Sequence, residues 1–257
     1  MQVDFSIVIP TLNSEKFLQK TLDSIRKQDQ EIKIECIFSD GGSTDRTIEI
    51  INNFEQTNIS KIVLNDQIGL SKALNSGFQK ANGKYLTYLN SDDMLAFDAL
   101  SKIKKNFDNY PNFEWVVGLC ENIGKKNFLN KAINIYKKNL FTRINFNLLC
   151  INNIISQPSV YWRKTFFKKV GNFSEKLNYN MDYDMWLRMI NISKPLKIRE
   201  NLSFFRRHNN SLSHNHILKQ FYEKFFTMRR YNRNIFLSFL HIFLSVFIVF
   251  IYKITNY

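Results

Sequence analysis

Lys84-Tyr-Leu-Thr-Tyr-Leu-Asn-Ser-Asp92-Asp93 ends an apolar run with two adjacent carboxylates. Tyr85, Thr87 and Leu89 alternate with Leu86 and Tyr88, so the run reads as a strand buried on both faces. Neighbouring carboxylates repel unless a cation lies between or beside them. A hard divalent ion meets that need, because Mg²⁺ accepts one or two carboxylates and fills its other positions with waters and substrate phosphates. A nucleoside-diphosphate site is the first expectation. The plainer role for the pair is to cap a helix starting near Phe97.

Working outward, the same rhythm repeats. Phe5–Ile9 is a strand stopped by Pro10, and Asn13 or Ser14 can cap a helix over 15–27 with Phe17, Leu18, Leu22 and Ile25 on one face. A second strand, Ile34–Phe38, leads into Asp40-Gly-Gly-Ser-Thr-Asp45 and a helix carrying Ile48, Ile51 and Phe54. Further strands are expected at Ile59–Leu64 and Glu114–Leu119, with helices at Leu70–Lys80 and Phe97–Asn109. Strand and helix alternate five times, which predicts an α/β fold with a mostly parallel sheet flanked by helices. Ligands bind such sheets outside the carboxyl ends of the strands. Thr11-Leu-Asn13, Asp40 and Asp92-Asp93 all fall there.

Beyond residue 120 the pattern loosens. Residues 125–155 resist assignment, helices are expected at Arg163–Val170 and Met181–Ile192, and a short strand at Leu202–Phe205. Ile235–Tyr252 carries no formal charge over 18 residues and follows Arg229, Arg230 and Arg233. As a helix it would measure about 27 Å against a hydrocarbon core of about 30 Å. Membrane association through 235–252 is expected, with a helix lying in the interface or packed on the rest of the chain as the alternative to a span. The division expected is a domain over 1–215, with halves 1–120 and 121–215, a basic linker helix over 216–234 and the apolar helix.

Composition narrows the class. In 257 residues, 44% hydrophobic content supports a packed core rather than disorder. Cys36, Cys120 and Cys150 lack metal-ligand spacing and read as buried thiols in a reducing compartment. Met1–Phe5 lacks the basic start of a signal peptide. The net charge of +14 is uneven: no acid lies between Glu121 and Glu175, and Glu223 alone opposes the cations from Arg206 to Arg233. Anionic membranes, phosphorylated substrates and nucleic acid are the partners such charge suits, while a solvated face accounts for much of it.

Four stretches carry a resemblance: Ser6-Ile-Val-Ile-Pro-Thr-Leu-Asn13, Phe38-Ser-Asp-Gly-Gly-Ser-Thr-Asp-Arg-Thr47, Gly69-Leu-Ser-Lys-Ala-Leu-Asn75 and Ala81 through Asp93. With Asn180-Met-Asp-Tyr-Asp-Met-Trp-Leu-Arg188 and Phe205-Arg-Arg-His-Asn-Asn-Ser-Leu-Ser213, the chain resembles family 2 inverting glycosyltransferases of the GT-A type. That resemblance implies a GT-A, Rossmann-like fold and transfer of a monosaccharide from a nucleoside diphosphate sugar, a uridine one, to a saccharide or lipid-linked acceptor. It implies that Thr11, Asn13, Asp40, Lys72, Asn75 and Asp92 line the nucleotide-sugar pocket, and that Asp93 and His208 hold Mg²⁺ or Mn²⁺. Asp182 is the implied general base, with Asp184 second; either acid otherwise serves as a dipole partner near a helix start. Met181 stands where the family often has Glu, and Lys72 where it often has an acid or Arg. The Gln-x-x-Arg-Trp motif of processive synthases is missing, which favours single transfers. By analogy the setting is surface-polysaccharide or lipopolysaccharide assembly at the cytoplasmic face of a bacterial membrane, with no nucleic-acid partner.

A sugar nucleotidyltransferase would need a glycine-rich loop after the first strand, where Pro10-Thr-Leu-Asn13 stands. No G-x-G-x-x-G follows any strand, which disfavours a dehydrogenase. A non-catalytic basic binding protein would explain the charge but not the acids gathered at the sheet's carboxyl edge.

Overall fold

Four apolar segments near the N-terminus become the parallel half of one sheet: β1 (Phe5–Thr11), β2 (Ile34–Asp40), β3 (Ile59–Leu64) and β4 (Tyr85–Tyr88). The computed structural model describes residues 2–65, 67, 69–124, 128–208 and 217–254. Helices α1 (Glu15–Arg26), α2 (Thr47–Asn52), α3 (Leu70–Lys80) and α4 (Ala99–Asn109) cross between or cover these strands. Burial of both faces of β1, β2 and β4 accounts for their unbroken apolar character. Gly77 is required where α3 meets β1, because a Cβ there would lie 2.5 Å from Val8 Cγ1.

The second half completes the sheet differently from expectation. Its order is β3-β2-β1-β4-β7-β6-β8-β5, with β5 (Met94–Leu95), β6 (Trp115–Gly124), β7 (Val160–Arg163) and β8 (Leu196–Arg207). The strand expected at 114–119 is β6, but β7 separates it from β4 and runs antiparallel to both. Four residues are too few for a periodic signal, so β7 could not be read from sequence. The strand expected at 202–205 is the end of a longer element, β8, which pairs parallel with β6. Two apolar layers cover the sheet, one centred on Trp115, Trp162 and Trp186, the other on Phe5, Phe38 and Tyr85.

Helices α5 (Phe128–Leu140), α6 (Phe146–Ile151), α7 (Lys164–Val170), α8 (Met181–Ile192), α9 (Ile217–Tyr231) and α10 (Ile235–Ile254) build the other half. One face of α10 lies on the domain: Ser238 and His241 are buried, and His241 Nδ1 donates to the Cys150 carbonyl at 2.7 Å. Its other face exposes Phe236, Phe239, Ile242, Phe243, Val246, Phe247 and Phe250. Among the described residues no helix is long and apolar enough to cross a membrane. Ser238 and His241 hold one side of α10 against the domain.

Candidate active site

Polar strand ends and the helices of the second half surround a single cavity of about 1070 Å³. Thr11, Asn13 and Gly41, Asp92 and His208, and Asp182 and Lys224 all line it.

Asp40, at the end of β2, is 2% exposed. It accepts from Thr11 Oγ1 at 2.8 Å, Gly42 N at 2.9 Å, Ser43 N at 2.7 Å and Ser43 Oγ at 2.6 Å. Burial works to raise its pKa, yet these bonds from Ser43, Thr11 and Gly42 prevail and hold it below the usual value. Its acceptor sites are filled by the 41–43 loop, so Asp40 shapes the pocket wall from behind Gly41. Asn13, in the left-handed region at φ 47°, accepts from Thr44 N at 2.9 Å and fastens the same loop to β1.

Two expected pocket residues lie elsewhere. Lys72 is on the exposed side of α3 and does not line the cavity. Asn75 is buried and faces the 173–175 segment, donating to the Phe173 carbonyl at 2.9 Å and Glu175 Oε1 at 3.0 Å while accepting from Phe173 N.

The adjacent carboxylates divide their roles. Asp93 is 0% exposed and accepts from Arg206 N at 2.9 Å and Asn90 Nδ2 at 3.3 Å. Burial first, and the Asp92 charge second, push its pKa well above the ordinary value. Asp92 faces the cavity, and its Oδ2 lies 2.8 Å from His208 Nε2. Phe17 supports that imidazole at a ring distance of 4.8 Å. Of the two neighbouring acids, Asp92 lines the cavity while the carboxylate of Asp93, the expected metal ligand, is turned to Arg206 and Asn90. Among the described residues no three His, Cys, Asp or Glu side chains gather to hold a metal ion by themselves. Asp92 and His208 offer one oxygen and one nitrogen, which suits an ion drawing its remaining ligands from water and a diphosphate. Residues 209–213 of the Phe205–Ser213 stretch lie outside the described residues.

Asp182 opens α8 and points into the same cavity. Its pKa is pushed up to about 6, chiefly by burial, against the Tyr183 N–H at 2.7 Å and the charges of Lys224 and Lys137. Asp184 is fully engaged: Arg188 Nε donates to it at 3.0 Å and the Tyr231 hydroxyl at 2.7 Å. Between the two acids, only Asp182 has a carboxylate available to a ligand. The Tyr88 hydroxyl, another cavity group, feels both Asp182 and Asp93 after burial in the rise of its pKa, which marks how closely the strand-end and α8 acids approach. Trp186 is buried against Trp115 and Trp162, in the core.

Three residues were not singled out as site residues. Glu223 on α9 accepts the backbone N–H groups of Asn178, Tyr179 and Asn180 at 2.9, 2.8 and 2.7 Å, fixing the approach to Asp182. Its signal was its isolation among cations. Lys137 and Lys224 enter the cavity from α5 and α9, and nothing in sequence set them apart from the other lysines.

Comparison with known proteins gives a consistent result. The family model described as Glycosyl transferase family 2 matches residues 6–171. An uncharacterized glycosyltransferase of Haemophilus influenzae is 39% identical over 99 residues, covering 38% of this chain and 39% of that protein. A PGL/p-HBAD biosynthesis glycosyltransferase of Mycobacterium tuberculosis is 28% identical over 188 residues, 72% of this chain and 68% of that one. Among solved structures, S. aureus TarS 1–349 in complex with UDP-GlcNAc superposes with a TM-score of 0.72 at 15% identity, covering 92% of this chain and 69% of that chain. At that identity the likeness speaks for the fold.

Proposed function

The chain belongs to glycosyl transferase family 2, and from that premise we propose that it transfers one monosaccharide from a uridine diphosphate sugar to a saccharide or lipid-linked acceptor with inversion. Glycosyl transfer is its activity class; donor, acceptor and stereochemistry are the proposal. The observation that carries it is the shared cavity, whose lining holds Thr11, Asn13 and Gly41 from the strand ends together with Asp92, His208 and Asp182.

The nucleoside lies over Thr11, Asn13 and Gly41, with the diphosphate directed to Asp92 and His208. Mg²⁺ or Mn²⁺ held by these two residues would offset charge on the departing diphosphate. That a mannosyltransferase of the same fold was solved with GDP-Man and Mn²⁺ favours this assignment (TM-score 0.69, 15% identity, 94% of this chain and 69% of that one). Asp182 takes the proton of the acceptor hydroxyl as its oxygen bonds to the anomeric carbon. The bond from that carbon to the diphosphate oxygen breaks on the opposite side, and its electron pair leaves with the nucleoside diphosphate. A pKa of about 6 keeps Asp182 ionised at neutral pH while making it a stronger base than an ordinary aspartate. Half 1–120 serves the donor and half 121–215 the acceptor.

The apolar face of α10 supports a surface mode of membrane association, with Arg230 and Arg233 exposed beside it for anionic headgroups. This suits assembly of a lipid-linked surface polysaccharide at a cytoplasmic leaflet. Incubation with a panel of nucleotide sugars and Mn²⁺ or Mg²⁺ tests the reaction: release of UDP from one uridine donor is expected. Release from none, with or without saccharide acceptors, would overturn it.

A further inference from the structure

Lys224 is 9% exposed, and its Nζ donates to Asn152 Oδ1 at 2.7 Å, 5.7 Å from the Tyr183 ring and 5.8 Å from the Phe221 ring. Lys137 Nζ donates to Ser156 Oγ at 2.9 Å. Both line the cavity that Asp182 lines. Among the described residues no carboxylate pairs with either: their close partners are an amide and a hydroxyl, and Asp182 acts on them only at longer range. Burial lowers both pKa values, that of Lys224 to about 8, and each lysine's charge bears on the other or on its neighbours. Arg207 adds a further positive charge nearby.

Holding ammonium groups out of water without a counter-charge is unfavourable. Neutral hydrogen-bond partners fix both heads without neutralising them, and the open side of each is the cavity. Such a cluster is organised for an anion that arrives with a ligand. The pair stands on α5 and α9, with Asp182 rather than with the donor-side loops of β1 and β2.

We propose that Lys137 and Lys224 form an anion subsite for the acceptor, which therefore carries a phosphate or a carboxylate close to the hydroxyl that is glycosylated. This deepens the glycosyltransferase reading and rests on it. A neutral acceptor would leave the two ammonium groups with no carboxylate or phosphate within hydrogen-bond distance.

Isothermal titration of the full chain, loaded with UDP and Mn²⁺, with glucose 6-phosphate, glucuronate and glucose tests this. At least one anionic probe is expected to bind about tenfold or more tightly than glucose. Lys137→Met and Lys224→Met, singly and together, should erase that preference while UDP affinity stays within about threefold, circular dichroism confirming the fold. Phosphate preference and carboxylate preference each support the subsite and identify its ligand. Equal binding of the three probes, or a preference surviving in the double variant, overturns it. Parallel loss of UDP affinity overturns it too, by assigning the lysines to the donor. If UDP does not bind the unaltered protein, the donor reading fails separately, and the same three probes on the unloaded chain still decide the subsite.

Discussion

Asp182→Asn should remove sugar transfer and at the same time make the protein more stable at neutral pH. The Asp182 carboxyl has a pKa of about 6 against an ordinary 3.8, with burial as the main cause. Because the folded pKa is the higher one, the folded chain holds this proton more tightly than the unfolded chain. The resulting stabilisation is complete below 3.8 and is lost as pH rises through about 6. The gap between 3.8 and about 6 converts to about 3 kcal/mol at most. Contact with cavity water reduces that to about 1–2 kcal/mol. Asparagine keeps an oxygen for the Tyr183 N–H and never ionises, so it escapes the penalty. In a chain of this size the gain corresponds to a rise of about 3–6 °C in melting temperature near pH 8, and far less near pH 4. Calorimetry at the two pH values, beside a UDP-release assay, measures both effects. A variant no more stable than the parent near pH 8, or equally stabilised at both, refutes the assignment of a raised pKa to this group.

Other outcomes follow from the same geometry. kcat should climb with pH through about 6 as Asp182 loses its proton, and a flat profile between about pH 5 and 8 would remove its role as base. Glu223→Gln replaces an acceptor of three amides by one that also presents a donor; stability should fall by about 1–2 kcal/mol and kcat by about 10- to 100-fold with donor KM unchanged. An equal loss in KM would place Glu223 on the donor side. Asp92→Asn should abolish Mn²⁺ dependence of UDP binding, whereas Asp93→Asn should retain it, as a Mn²⁺ titration of each variant would reveal. Phe239→Glu with Phe243→Glu should weaken co-sedimentation with vesicles containing anionic lipid, and undiminished binding would detach α10 from the membrane.

The donor half was legible because its chemistry is local. Each strand from β1 to β4 is an apolar run, each ends in a polar cluster, and parallel topology then puts those clusters together. The sequence is silent where a side chain's direction depends on distant partners. Asp92 and Asp93 are neighbours, and bonds from Asn90 and from the Arg206 backbone, more than 110 residues away, turn Asp93 from the cavity. Asn75 reads like a pocket residue until Phe173 and Glu175, about 100 residues away, claim all of its hydrogen bonds. Strand β7 is central in space yet four residues long, below what periodicity can detect. By contrast Asp182 was identified by its motif, and Asp184 was separated from it only once Arg188 and Tyr231 were seen to occupy it.

Charge shows why location matters more than number. The chain holds 36 Lys and Arg, and the acid-free stretch 122–174 contributes ten of them. Several, including Lys131, Lys138, Lys168 and Lys169, lie on exposed surface, and Lys169 pairs with Glu114 at 2.9 Å. Solvated charges of that kind are screened within about 10 Å at moderate salt and do little to select a ligand. Lys137 and Lys224 belong to the same basic background in sequence, but Lys224 is buried and Lys137 half-buried, and both line the cavity. There their charges are screened less than those of the outer lysines. The single acid opposing the C-terminal cations is likewise turned to the backbone: among the described residues Glu223 forms no ion pair and holds the amides that lead to Asp182. The Asp182 side of the cavity thus holds one carboxylate, two cations it acts on without a direct bond, and Glu223 behind the 178–180 amides, and the proposed anionic acceptor rests on that balance.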